Sequence, residues 1–158
     1  MDRRRSLEKI LALLFDNLFL RPVYLADQVL GENIWLPLDR VTGVISRTAG
    51  RVLRSSISTS GAHPLSAAME LIDRCEGWVG VRGGWEIVDE QTVLRKVPDC
   101  PFLHRLSGKP AFCQRLGLTM GRDALATVFP GQKIEFEILS TLSAGDPCCT
   151  YRLHISPD

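Results

Sequence analysis

Four of the five cysteines in this chain of 158 residues fall between Asp99 and His154, each beside a turn or an element end. Cys100 precedes Pro101, Cys113 follows Lys109-Pro110-Ala111-Phe112 where a helix should open, and Cys148 and Cys149 start a closing strand. Thiolates with imidazole suit tetrahedral zinc, and cysteine-rich sets also suit an iron–sulfur cluster. Cys100, Cys113 and Cys149 are the three that could converge, with His104, Cys148, Asp99 or Glu137 as the fourth ligand. No Cys-x-x-Cys pair is present, and the spacing matches no standard zinc finger or ribbon. Reduced, buried thiols are the plainer reading, and spacing alone favours it. Cys113 at a helix start should have a lowered pKa, because the helix dipole favours thiolate. Cys113 with His104 is the one nucleophile–base couple in view, and no Ser-His-Asp arrangement stands out, so catalysis is not expected.

Strand parity separates the adjacent pair. Cys149 shares a face with Tyr151, Leu153 and Ile155, whereas Cys148 goes with Thr150, Arg152 and His154. The helix that should carry Cys113 runs from Ala111 to Phe129 and is stopped by Pro130-Gly131. A half-exposed strand follows from Lys133 to Leu142, with Ile134, Phe136 and Ile138 on one side and Lys133, Glu135 and Glu137 on the other. Upstream, Trp78–Val81, Trp85–Val88 and Gln91–Val97 read as three short strands, with Arg82-Gly83-Gly84 as a hairpin turn. Pro98 to Pro110 reads as a loop.

The first part of the chain is helical. Ser6 is the expected N-cap of a helix with Leu7, Ile10, Leu11, Leu14, Phe15 and Leu18 on one stripe, interrupted at Arg21-Pro22. So apolar a stripe must be covered by the domain core or by a second copy of the chain. Val23–Leu30 is a short second helix, and Glu32–Leu38 reads as a loop or extended piece. Asp39 then caps a third helix, whose Gly43, Ala49 and Gly50 permit close approach of another backbone or of a ligand. Ser58–Ala62 is a linker. Pro64 opens a fourth helix that ends at Gly77, with Cys75 as a small buried hydrophobe. The outline is α+β: N-terminal helices packed on an antiparallel sheet made of a meander, one helix and a terminal hairpin. It forms a single domain, with a helical part over 1–76 and a sheet with one helix over 77–155.

Composition narrows the classes. Apolar residues make up 45% and charged residues 23%, with a net charge of +1, which gives no electrostatic case for direct nucleic-acid binding. No apolar run approaches the roughly 20 residues of a membrane span, and Ile10–Leu20 lacks a signal-peptide cleavage site. A cytoplasmic chain with reduced thiols is expected.

The last third carries a recognisable pattern. Cys100-Pro101-Phe102, Pro110-Ala111-Phe112-Cys113 with Gly121 further along the helix, and Gly145-Asp146-Pro147-Cys148-Cys149-Thr150-Tyr151 together resemble the V4R (4-vinyl reductase) domain and its methanogen output domain relatives, over about residues 77–155. The final segment looks like the family's Gly-Asp-x-x-Cys-x-Phe/Tyr. The resemblance implies the ligand-binding fold shared with a Golgi transport tethering subunit, often dimeric. Family members serve as small-molecule sensors, and one is linked to bacteriochlorophyll vinyl reduction. Sensor versions hold zinc through a cysteine at the helix start, an acid and a cysteine on the next strand, and the Gly-Asp cysteine. Cys113 and Cys149 match the first and last, the strand positions fall at Ile138 and Thr141, and Cys100 would replace one missing ligand.

The expected function is a sensory or regulatory domain that binds a small hydrophobic molecule between helices and meander, against Trp35, Trp78, Trp85 and Phe102, and acts through a homodimer or a separate regulatory partner protein. A zinc ion near Cys113 and Cys149 would tie helix to sheet. An iron–sulfur redox sensor on the same cysteines, and an accessory factor in tetrapyrrole reduction, are the alternatives. No nicotinamide or flavin fingerprint is present.

Overall fold

A computed structural model describes residues 3–57 and 63–156, so the expected linker at Ser58–Ala62 lies outside the described residues. Helices α1 (Arg3–Phe15) and α2 (Arg21–Leu30) are joined by a π-helical segment, Asp16–Leu20, into one nearly unbroken rod. Ser6 therefore sits inside a helix and is not its N-cap. Pro22 does not interrupt the rod: it stands in the first turn of α2 directly after the π-helical segment, where the i to i−4 ladder is already broken. After a short 3₁₀ turn, Gly31–Ile34, α3 runs from Trp35 to Arg54. The segment Glu32–Leu38 is thus helical, Asp39 lies within α3, and Pro37 again occupies a first turn.

Helix α4 (Pro64–Trp78) opens with His63, whose Nδ1 accepts the Leu65 N–H at 3.3 Å. It continues to Trp78, so Trp78–Val81 is not a strand. The first strand, β1 (Arg82–Ile87), instead contains Gly83 and Gly84, and it pairs antiparallel with β2 (Thr92–Asp99) through a turn at 88–91. The glycines serve a bulge between Arg82 and Gly84: a Cβ on Gly83 would lie 2.6 Å from the Lys96 carbonyl oxygen. The short α5 (Leu103–Leu106) interrupts the expected loop. Helix α6 (Pro110–Val128), β3 (Ile134–Ser140) and β4 (Cys149–Ile155) follow as expected.

The four strands are all antiparallel in the order β1-β2-β4-β3, with β4 between β2 and β3. Helices pack on this sheet, and the buried side chains form two clusters. The first joins α4 and α6 to the sheet through Leu71, Ile72, Val93, Leu125, Val128, Phe136 and Leu153. The second joins the N-terminal rod and the start of α3 to the start of α6 through Leu20, Trp35, Leu38, Phe102, Phe112 and Leu116. Helix α3 lies along α6 where Gly50 meets Thr127 and the Ala124 carbonyl, so the small residues of α3 admit another helix of this chain. Much of the N-terminal apolar stripe is not covered by the fold: Leu7, Ile10, Leu14 and Leu18 remain exposed.

Helix α6 rests on β3 at a glycine notch, where a Cβ on Gly121 would meet the Phe136 ring at 2.6 Å. Gly121→Ala should therefore cost about 1–3 kcal/mol by overpacking. Gly77→Ala, with nothing within 4 Å of the new methyl, should be neutral or stabilise by about 0.4–1 kcal/mol. Urea denaturation of both variants checks the opposite signs.

Candidate functional site

The loop between β3 and β4 builds one wall of the site. Gly145 takes a left-handed conformation (φ 95°), and the Asp146 carboxylate accepts the Thr141 N–H at 2.8 Å. The Cys149 sulfur accepts the next N–H, that of Leu142, at 3.3 Å. The Gly145-Asp146…Cys149 pattern thus secures two successive amides of a tight loop, in which Thr141 and Ser143 are buried. Gly108 donates its N–H to the Ser143 carbonyl at 2.8 Å, which ties the loop to the start of α6 and so to Cys113.

Cys100, at the end of β2, and Cys113, in the first turn of α6, both pack against the second cluster. Cys100, Cys113 and Cys149 lie within electrostatic reach of one another, and each thiol is pushed up, first of all by burial. Cys100 reaches about 11, even though the Phe102 N–H favours its thiolate. The expected lowering at Cys113 does not occur, because desolvation outweighs the dipole of the helix N-terminus and the hydrogen bond from Ser143. Tyr151 stands beside the same three thiols and Glu76, and burial raises its phenol strongly. Cys100 and Cys113 share the second cluster with Phe15 of the N-terminal rod, which packs on Phe102 with ring centres 5.4 Å apart.

The other two candidate ligands lie elsewhere. Cys148 points to the opposite face, with its sulfur 3.5 Å from the Thr150 hydroxyl. His104 is exposed on α5, where its Nδ1–H donates to the Pro101 carbonyl at 3.1 Å and its Nε2 faces Asp16 at 3.8 Å. Among the described residues no group of three or more His, Cys, Asp and Glu side chains is arranged to hold a metal ion. The sulfurs suit a metal by chemical type. Cys75 on α4 is likewise pushed up to about 11 by burial.

The four aromatic candidates do not meet in one place. Trp35 and Phe102 share the second cluster, where Trp35 packs on Phe112 at 5.3 Å with the Arg115 guanidinium 4.6 Å above its ring. Trp78 is 40% exposed at the end of α4. Trp85 lies on β1 under Arg95. A groove of about 400 Å³ opens at the far end of the molecule, lined by Leu65, Met69, Ile87 and Val93 with Asp89 and Glu90 at its rim, and none of the four aromatics reaches it.

Arg95 belongs to no sequence motif. It alternates with Val93 and Val97 on the inward face of β2 and is only 2% exposed. Its Nε donates to Glu76 at 2.6 Å and its Nη1 to Asp73 at 2.5 Å, while Trp85 Nε1 donates to Asp73 at 3.1 Å. Burial raises the Glu76 carboxyl, and the Arg95 charge opposes that rise. Strand parity was the available signal: a cation between two inward valines must find acids on the covering helix.

No family model matches the chain, and no curated protein does. Among solved structures the fold is that of a trafficking-particle subunit: helices packed on a four-stranded antiparallel sheet. A trafficking protein particle complex subunit 3 from Naegleria fowleri, covalently bound to palmitic acid, aligns over 95% of this chain and 95% of its own, with TM-score 0.51 and 14% identity.

Arg95→Met alone should cost about 3–5 kcal/mol, because it leaves Glu76 buried and unpaired. Arg95→Met combined with Glu76→Leu should lose clearly less. A double-mutant cycle in urea measures the difference.

Proposed function

We propose that this chain is a regulatory or adaptor domain that binds a small hydrophobic molecule and works as a subunit, pairing with a second copy along the N-terminal rod. The observation that carries the reading is the uncovered stripe. Leu7, Ile10, Leu14, Leu18, Leu25 and Val29 recur along α1, the π segment and α2 and are 47–83% exposed. Apolar surface spread so regularly along one rod marks an interaction face more often than an ordinary monomer surface. The fold shared with a subunit of a multiprotein particle supports this reading, and the palmitic acid on that subunit makes a fatty acyl chain the first ligand to test. The second cluster, with Phe15, Trp35 and Phe102 beside the thiols, is the apolar region where such a chain would lodge.

Sedimentation analysis should find a dimer, and Leu14→Glu with Leu18→Glu should convert it to a folded monomer. A wild-type monomer at about 50 μM, well above the Kd of a stable dimer, would refute the pairing. Solvent extracts and intact masses of the same preparation would reveal a retained or thioester-linked acyl chain.

Zinc or an iron–sulfur cluster on Cys100, Cys113 and Cys149 is the second reading. It is favoured by the grouping of three sulfurs, two of which accept backbone N–H donors. Protein purified without oxygen should then carry about one metal equivalent, as structural sites do. The Cys100/Cys113/Cys149→Ser variant should lose it, and a metal-free wild type would end this reading.

A further inference from the structure

Helix α3 has a second surface that the fold does not use. Its buried side, Leu38, Thr42, Ser46, Gly50 and Leu53, faces the rest of the domain. On its outer side Val41, Val44, Ile45 and Val52 are exposed by 51%, 58%, 39% and 62%. Val41, Ile45, Thr48 and Val52 follow steps of four, three and four residues, the spacing of a seam that receives another helix. At ~3.6 residues per turn, Arg40, Arg47, Arg51 and Arg54 fall within an arc of about 60° directly beside that seam. All four are exposed. Arg47 is paired with Asp123 at 2.7 Å, but among the described residues Arg40, Arg51 and Arg54 form no ion pair.

Asp39 on this helix and Asp123 on α6 are already engaged. Asp39 faces Arg115 at 3.7 Å, and Asp123 holds Arg47. The outer surface of α3 is therefore an apolar seam with a ridge of four guanidinium groups along one side, three of which, Arg40, Arg51 and Arg54, have no ion pair among the described residues.

We infer that α3 docks an amphipathic helix of another protein, with an apolar seam flanked by Asp and Glu. Charge chooses among the occupants. Antiparallel pairing of two copies of α3 would set ridge against ridge, and like charges facing one another suppress a partner. A lipid surface would call for the bulky Trp, Phe or Leu that anchors interfacial helices, whereas the centre of this face is Val, Ile and Thr. Short β-branched side chains suit close packing by a second helix, and the arginine fork suits carboxylates on its flank. The seam lies on a different helix from the stripe of α1 and α2, so it does not depend on the pairing proposed there.

The full chain tests this with two labelled peptides of the same length and helicity: leucines at heptad a and d positions, and glutamates in one or lysines in the other at the flanks. Fluorescence anisotropy should show the glutamate peptide bound at least roughly tenfold more tightly than the lysine peptide. The difference should shrink between 50 and 300 mM salt. Arg40→Glu/Arg51→Glu/Arg54→Glu, checked for unchanged circular dichroism, should reverse the preference; if that variant fails to fold, the salt series on the unaltered chain decides. Equal binding of the two peptides overturns the inference. So does capture by phosphatidylglycerol vesicles without binding of the glutamate peptide, or loss of a self-dimer in Val41→Lys/Val52→Lys with no change in peptide binding.

Discussion

The guanidinium of Arg95 is the constraint to which the rest of the molecule answers. It sits in the sheet interior, where an unpaired charge would be far too costly, so α4 must bring Glu76 and Asp73 over it. That requirement fixes the rotation of α4 about its own axis and its height on the sheet. With α4 so placed, Leu71 and Ile72 cover Val93 and Leu153, and Trp85 is drawn in from the edge strand to share Asp73. Hydrophobic contact alone would tolerate α4 slipping along the sheet, whereas two charge-assisted hydrogen bonds from one fork do not.

Charge pairs also attach the N-terminal rod. Asp16 receives both Nε and Nη2 of Arg105 at 2.5 and 2.8 Å, Lys109 reaches Asp27 at 2.7 Å while lying over the Tyr24 ring, and Arg82 pairs with Glu8. Each partner belongs to the C-terminal half, on β1, α5 or the residue before α6. Acids of the rod thus face inward, while Leu7, Leu14, Leu18 and Leu25 remain outside and Leu20 is buried in the second cluster. The thiol corner lies beneath this attachment, between the rod and the loop secured by Asp146 and Cys149.

What the sequence made legible follows from how regular each local pattern is. Strand β4 was readable to the level of single side chains, since Cys149 and Leu153 are buried while Cys148 points away. Helix α6 and strand β3 were readable for the same reason: one period, cleanly stopped. Trp78–Val81 misled because aromatic and β-branched residues suit strands, yet the hydrogen-bond ladder of α4 carries on to Trp78. Gly83-Gly84 resembled a turn, but it is a place where two backbones crowd. Arg21-Pro22 suggests a break, yet the helical backbone runs on through Pro22 in the first turn of α2, directly after the π-helical segment. Order and parity place Cys100, Cys113 and Cys149 within electrostatic reach of one another, but the burial that raises their pKa values is a tertiary effect that no local pattern announces.

The position of β4 has a consequence for how the molecule is made. It lies between β2 and β3, so neither of those strands acquires its inner neighbour until residues 149–155 have been synthesised. The β1–β2 hairpin can form early from local contacts, but β3 has nothing to pair with, and the open side of β2 offers its unpaired amides and carbonyls meanwhile. During that interval Arg95 has its two acids from α4 already at hand, only some twenty residues earlier in the chain. The nascent α4–β1–β2 unit can therefore shield its buried charge before the sheet closes, and the last strand enters a slot whose one hazardous group has been neutralised.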